Sequence, residues 1–287
     1  MVYAPNKRAD QDEAFLAAEV GKLVDQTVKA DSVLGRVATH HGTARPSVDF
    51  PLFVNPVSTG FTGELTDLPL SNAETASVNV PAYKVTGATQ ASSEMLADMD
   101  PPSIAALLGR SISDSVIHTL DAAFLGNEGA VEGTTQVGFD GLQSLAYSEV
   151  DTEGEFTLDH VINAVFKAQA LSSKPTALVV PPSTAEAISL MKRATDSAEY
   201  LTAFQSDGSI SVAGTNVPLV VTNYVDAATT GWLVCQEDLR LVVREGTQVR
   251  KTYVPQNDSW FISGIGRYGF GSLKPASTVR IWDKTPA

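Results

Sequence analysis

A few short patterns in this sequence carry residue types that could do chemistry. Asp159-His160 sets an acid beside a base, the pairing used for proton transfer. Neighbours on a helix point in different directions, however, and no G-x-S-x-G nucleophile elbow accompanies them. Gly264-Ile265-Gly266-Arg267-Tyr268-Gly269 matches G-x-G-x-x-G. A dinucleotide site needs a helix opening at the last glycine, so that its N-terminus holds the pyrophosphate. Here Phe270-Gly271-Ser272-Leu273-Lys274-Pro275 follows, which is poor helix material near the chain end. Glycines alternating with Arg267, Tyr268 and Phe270 fit a strand that another part of the chain approaches closely. His40-His41 could suggest a metal, but adjacent side chains diverge and no H-E-x-x-H spacing supports them. They read as loop histidines. Cys235, the one cysteine, lies in Trp232-Leu233-Val234-Cys235 and reads as a buried strand thiol. No phosphate loop and no calcium-loop spacing occurs. The basic groups Lys192-Arg193, Arg244 and Arg250-Lys251 are small and diluted by acid, and read as surface or inter-subunit ion pairs. The sequence therefore predicts no catalytic, cofactor or metal site, and this silence favours a structural role over a soluble α/β enzyme.

The elements that would position any site follow from periodicity. Leu16, Val20, Leu23, Val24 and Val28 predict a helix over residues 11–29 with one apolar stripe. Residues 49–54 and 78–91 read as strands. Between them, 57–77 is polar, punctuated by Gly and Pro, and without an apolar face. Such loops are uncommon in compact domains, and a two-stranded ribbon with so polar a tip cannot bury a core of its own. It needs another surface to lie on. Residues 101–125 give the strongest helix. Pro101 and Pro102 suit its first turn, Ile104, Leu107, Leu108, Ile112, Val116, Leu120 and Phe124 step by three and four, and Gly126-Asn127 ends it. It should span about 35 Å. A second helix is predicted over 157–171, a buried strand at Ala177–Val180, and a third helix opened by a Ser183-x-x-Glu186 capping box and running through Met191. Strands recur at 218–223, 231–235 and 239–244, and the tail from 247 to 282 is strand-like. This alternation gives an α+β or α/β layered fold.

Composition narrows the classes. A chain of 287 residues is long enough for about two domains. Hydrophobic residues at 43% against 18% charged supply enough apolar surface to offset chain entropy. The net charge of -13 repels DNA and anionic membrane alike. No run approaches the roughly 20 apolar residues of a membrane span, and the N-terminus lacks an apolar signal core. One cysteine allows no disulfide framework, so a reducing cytoplasm is the expected folding compartment.

In order, these pieces resemble the phage major capsid proteins of the Hong Kong 97 type. Four stretches carry the resemblance. A strand runs through Ser92-Ser93-Glu94-Met95-Leu96 toward a long helix that ends in Phe124-Leu125-Gly126-Asn127-Glu128-Gly129. Then come the helix, strand and Pro/Ser/Thr-started helix of 157–201, the Pro-Leu-Val-Val-Thr-Asn strand at 218–223, and the closing segment from Arg267 through Lys274-Pro275 to Val279. The match covers residue 45 to the end.

The resemblance implies an α+β Hong Kong 97-type capsid fold: an N-terminal arm with a short helix (1–45), an extended loop (46–92), a peripheral domain with a long spine helix (93–135 and 246–287) and an axial domain (136–245). It implies the major head protein of a tailed double-stranded DNA phage, self-assembling into the pentamers and hexamers of an icosahedral shell that matures by expansion. The expected inter-subunit contacts in the loop are Phe61, Glu64, Leu65, Asp67, Leu68 and Leu70. The expected spine-helix residues are Ile104, Leu108, Ile112, Val116, Leu120 and Phe124. Implied partners are further copies of the chain, a separate scaffolding protein (the chain opens almost directly on the arm), a portal protein and a decoration protein. DNA would be enclosed non-specifically, with assembly in the bacterial cytoplasm. Encapsulin-like compartment shells share this fold and are the alternative. The crosslinked member of the family joins a loop lysine to an asparagine with help from a glutamate. Thr62 to Thr75 holds no lysine, and the closing positions are Asp258 and Ile265, so no isopeptide crosslinks are expected.

Overall fold

The computed structural model describes residues 32–55, 59–63, 74–94, 101–191, 209–212 and 214–284, and the helix expected at 11–29 lies outside them. Two sheets and one long helix organise the chain. Helix α2 (Pro101–Leu125) keeps the predicted bounds. Ile112, Val116, Leu120 and Phe124 recur every four residues and are all buried, because that spacing places them on one stripe. The stripe lies on a four-stranded sheet in the order β1 (Thr39–Gly42), β12 (Leu239–Val254), β13 (Ser259–Ser272), β4 (Tyr83–Ser92). Phe124 meets Phe270 of β13 edge-on at 5.0 Å. A short helix, α1 (Val33–Val37), buries Val33, Leu34 and Val37 in the same cluster.

The segment expected as one strand over 78–91 is two. Strand β3 (Glu74–Pro81) pairs antiparallel with β2 (Ser47–Asn55) in a separate ribbon, whereas β4 joins β13. The change of sheet falls at Ala82, whose amide donates to the Pro46 carbonyl at 2.9 Å. Proline at 81 supplies no N–H to continue a ladder. The ribbon is rooted on the glycines of β13. A Cβ at Gly269 would collide with the Pro81 carbonyl, and one at Gly271 with the Val80 side chain. The G-x-G-x-x-G run is thus a strand under close contact, not a phosphate cradle.

The second sheet has six strands, ordered β7 (Ser148–Asp151), β14 (Val279–Trp282), β11 (Thr229–Val234), β8 (Ala177–Val180), β10 (Thr215–Val221), β9 (Ser209–Val212). Helices α3 (Leu158–Ala170) and α4 (Pro182–Leu190) cover one face through Val161, Ala164, Val165 and Ile188, which pack on Leu178, Leu233 and Ile281. The opposite face, with Val179, Val220, Trp232 and Val234, belongs to the same cluster as Phe124 and Leu241 of the first sheet. One core therefore runs between the two sheets. A small hairpin, β5 (Val131–Glu132) with β6 (Thr135–Gln136), fills the Gly-rich stretch after α2.

Two local expectations are corrected. The capping box at Ser183 does not form: α4 opens at Pro182 behind Pro181, which places Ser183 inside the first turn with no side-chain cap. A capping box forms instead at Thr157 and His160, at the start of α3. The strand expected to end at Arg244 continues to Val254 across two register shifts between Val243 and Gln248. Residues 245 and 246 thus lie within β12, and β14 pairs within the six-stranded sheet.

Candidate functional site

His40, His41, His160 and Cys235 are each engaged locally. The Nε2–H of His40 donates to the Gly35 carbonyl at 2.7 Å, while His41 turns to Phe50, 5.2 Å between ring centroids. The two diverge from adjacent positions of β1, a strand and not the expected loop. His160 does not face Asp159; its Nδ1 accepts the Thr157 amide at 3.0 Å and so closes a helix cap. Cys235 is buried, its Sγ 3.7 Å from the Ser277 carbonyl, and burial pushes the thiol up to about 12. Among the described residues, no three His, Cys, Asp or Glu side chains converge.

Asp121 was not singled out by the sequence, yet it forms a deeply buried polar site. It lies on α2, and only 1% of it is exposed. Its Oδ1 accepts from Ser32 Oγ at 2.7 Å and from the Leu34 amide at 3.1 Å. Its Oδ2 accepts from the Val33 amide at 3.0 Å. The carboxylate thus caps α1 from a distant part of the chain and fixes the root of the N-terminal segment to the long helix. Burial raises its pKa, against the pull of the Ser32, Val33 and Leu34 hydrogen bonds and of nearby His118. Arg280 is a second buried node. Its Nε and Nη2 donate to Thr229 Oγ1 at 2.9 and 2.7 Å, its Nη1 to the Tyr147 hydroxyl at 2.9 Å, and its guanidinium lies 4.4 Å from the Trp282 ring.

The surface features differ in kind from a catalytic site. The ribbon projects from its glycine-rooted base, and its far end is uncovered: Phe53 is 73% exposed, and Phe61 beyond it is fully exposed. Of the other predicted loop contacts, Glu64, Leu65, Asp67, Leu68 and Leu70 lie outside the described residues. Of the predicted spine residues, Ile104 and Leu108 fall on α2 without described side chains. The hairpin tip between β12 and β13 is tied by Asp258, whose Oδ1 accepts from Tyr253 Oη at 2.7 Å and Ser93 Oγ at 2.8 Å. Those two hydrogen bonds, Tyr253's first, hold the Asp258 carboxyl below its ordinary value. Finally, a cleft of about 660 Å³ opens between the start of β4, the C-terminal end of α2 and the β5–β6 hairpin. Val85, Leu120, Ala123, Val137 and Phe139 line it, with Lys84 and Glu132 also on its walls.

The profile of the phage capsid family matches residues 14–259. No curated protein sequence matches the chain. Among solved structures, the capsid of an empty GTA particle shares 16% identity at a TM-score of 0.69, over 88% of this chain and 90% of that one. A structure from Microbacterium phage Oxtober96 shares 13% identity at a TM-score of 0.69, covering 88% and 91%. One from Gordonia phage Cozz shares 15% identity at 0.66, covering 89% and 87%.

Proposed function

From the premise that this chain belongs to the phage capsid family and is a major capsid protein with the Hong Kong 97-type fold, we propose that it closes into pentamers and hexamers of an icosahedral shell around a double-stranded DNA genome. Its role is structural and its mechanism is assembly. The ribbon carries this reading. The body has a complete core, whereas Phe53, Val54 and Phe61 stand uncovered on an element too thin to bury them. Neighbouring subunits supply the missing cover.

In this reading residues 1–45 are the arm and 46–92 the extended loop, with Phe61, Glu64, Leu65, Asp67, Leu68 and Leu70 as its contacts. The peripheral region is α2 with the four-stranded sheet, and Ile104 and Leu108 count among its spine residues. The axial region is the six-stranded sheet with α3 and α4, β14 included. The charge of -13 suits a container that holds DNA without gripping it. Scaffolding, portal and decoration proteins are separate partners, and assembly takes place in the host cytoplasm. A compartment shell built on the same fold is the lesser reading, since the matched profile is that of phage capsids.

Sedimentation velocity of the purified protein tests the proposal. Species of pentamer size and above support it; a single species at 30.3 kDa across the micromolar range refutes it.

A further inference from the structure

We propose that Phe50 is the residue that positions the ribbon. Seated between His41 and Arg240, it fixes the angle at which the ribbon leaves the body, and so sets the direction in which one subunit reaches toward the next. The aiming role rests on the shell reading above; the seat rests on contacts within one chain.

The ribbon touches the body through both of its strands. On the β3 side, Val80 and Pro81 lie against Gly271 and Gly269 of β13. On the β2 side the contact is Phe50, three residues after Ser47 and paired with Val78 across the ribbon. Its ring meets the His41 ring edge-on, 5.2 Å between centroids at 75°. The Arg240 guanidinium lies 5.9 Å from the centroid of the same ring. Both arrangements are attractive, because the electron-rich face of an aromatic ring draws the positive edge of another ring or a cation. Phe50 is accordingly half-buried, whereas Phe53 on the same strand is 73% exposed.

Both sides of the seat are held by the body. His41 lies opposite Val242 in the parallel pairing of β1 with β12. The backbone around it is tied at three points: Thr39 Oγ1 donates to the Gln236 carbonyl at 2.8 Å, His40 Nε2 to the Gly35 carbonyl at 2.7 Å, and the Thr43 amide to the Val243 carbonyl at 3.0 Å. Arg240 Nη1 donates to the Glu237 carbonyl at 2.8 Å and the Leu239 carbonyl at 3.2 Å, which holds its guanidinium at the start of β12.

Strand β2 has few other restraints. Residues 43–46, which lead into it from β1, form a short turn, and among the described residues its one ladder partner is β3. A two-stranded ribbon has no core to stiffen it. Anchored through β3 alone it could swing; anchored through both strands it cannot. Leverage makes the angle matter. Asn55 ends β2 five residues beyond Phe50, about 17 Å at strand rise, so a tilt of about 10° at the seat would displace it by roughly 3 Å. Packed contacts weaken steeply over a gap of about 1 Å.

The test is a distance measured across the seat in the unassembled subunit. Nitroxides are attached to Ala76→Cys on the ribbon and Asp114→Cys on α2, both exposed positions, and Cys235 is buried and stays unlabelled. Double electron–electron resonance should give one narrow distance distribution when Phe50 is present. An aromatic pair and a cation over a ring together favour the seated ribbon by about tenfold. Phe50→Ala should therefore broaden the distribution severalfold. Circular dichroism and melting should stay unchanged, because Phe50 belongs to neither buried cluster. Phe50→Tyr, which keeps the aromatic face, should restore the narrow distribution. A broad distribution with Phe50 in place, a narrow one in Phe50→Ala, or a broad one in Phe50→Tyr overturns the inference. In assembly, Phe50→Ala should raise the concentration at which shells form by about tenfold and Phe50→Tyr should not. Equal assembly by Phe50→Ala overturns the aiming role while leaving the shell reading intact; no assembly by the unaltered chain overturns both.

Discussion

Replacing Asp121 should loosen the root of the N-terminal segment by an amount that depends on what replaces it. Alanine leaves Ser32 Oγ and the Val33 and Leu34 amides without their acceptor in a buried site. Losing such a cap costs about 0.5–2 kcal/mol, and each stranded buried donor costs about 1–3 kcal/mol. Part of this is returned, because the ionised carboxylate is itself held at a desolvation cost, as its raised pKa records. Asp121→Ala should therefore destabilise the unassembled subunit by about 3 kcal/mol. Asp121→Asn keeps the acceptor at Oδ1, where two of the three bonds end, and removes the charge. Its cost should be about 1 kcal/mol. The pH dependence separates the two effects. With its pKa raised in the fold, Asp121 takes up its proton in the native state before it would in the unfolded chain. Its contribution is fully present below the unfolded value of about 4 and is lost as pH rises through the folded value. Wild type should thus gain on Asp121→Asn as pH falls from 7 toward 4. Urea unfolding of the subunit at pH 7.5 and 4.5, with amide exchange read at Val33 to Ala38, measures both. A loss under 0.5 kcal/mol for alanine, or a wild type that loses ground to asparagine in acid, would refute the reasoning.

Other outcomes follow from single sites. Gly269→Ala should cost about 1–3 kcal/mol in urea unfolding, because its Cβ meets the Pro81 carbonyl. Gly60→Ala, in open space, should cost nothing measurable. The Cys235 thiol, pushed up to about 12 by burial, should resist maleimide at pH 8 in native protein and react at once in urea. Arg280→Met should cost about 2–3 kcal/mol, since the Thr229 and Tyr147 hydroxyls lose a charged donor, and should shift tryptophan emission from Trp232 and Trp282. Mature particles boiled on a denaturing gel should run as monomer, because Thr62 to Thr75 offers no lysine; a ladder would contradict that expectation.

What could be read in the sequence was what repeats locally. The stripe from Ile112 to Phe124 is regular at four residues, and helix α2 follows it from end to end. The stretch at 57–77 has no apolar period, and that lack itself pointed to a ribbon needing external cover. Glycines alternating through β13 announced a close approach without saying what approaches. The features that escaped are those joined across the chain. Asp121 is one polar residue on a helix until Ser32, 89 residues away, is brought to it. The cleft has walls from three separate segments and no signature in any of them. Strand β12 seemed to stop at Arg244 because Arg244 to Thr247 is a polar bulge, and only pairing with β13 carries the strand through it. The Ser183 capping box was overruled by Pro182, whose fixed φ starts the helix two residues earlier.

The central claim is that this chain exists to join copies of itself into a closed shell. Negative-stain electron microscopy of the purified protein tests it most directly. Polyhedral shells, or pentamer and hexamer rings, are the expected result. A field of particles that stays monomeric or dimeric at every concentration would contradict it.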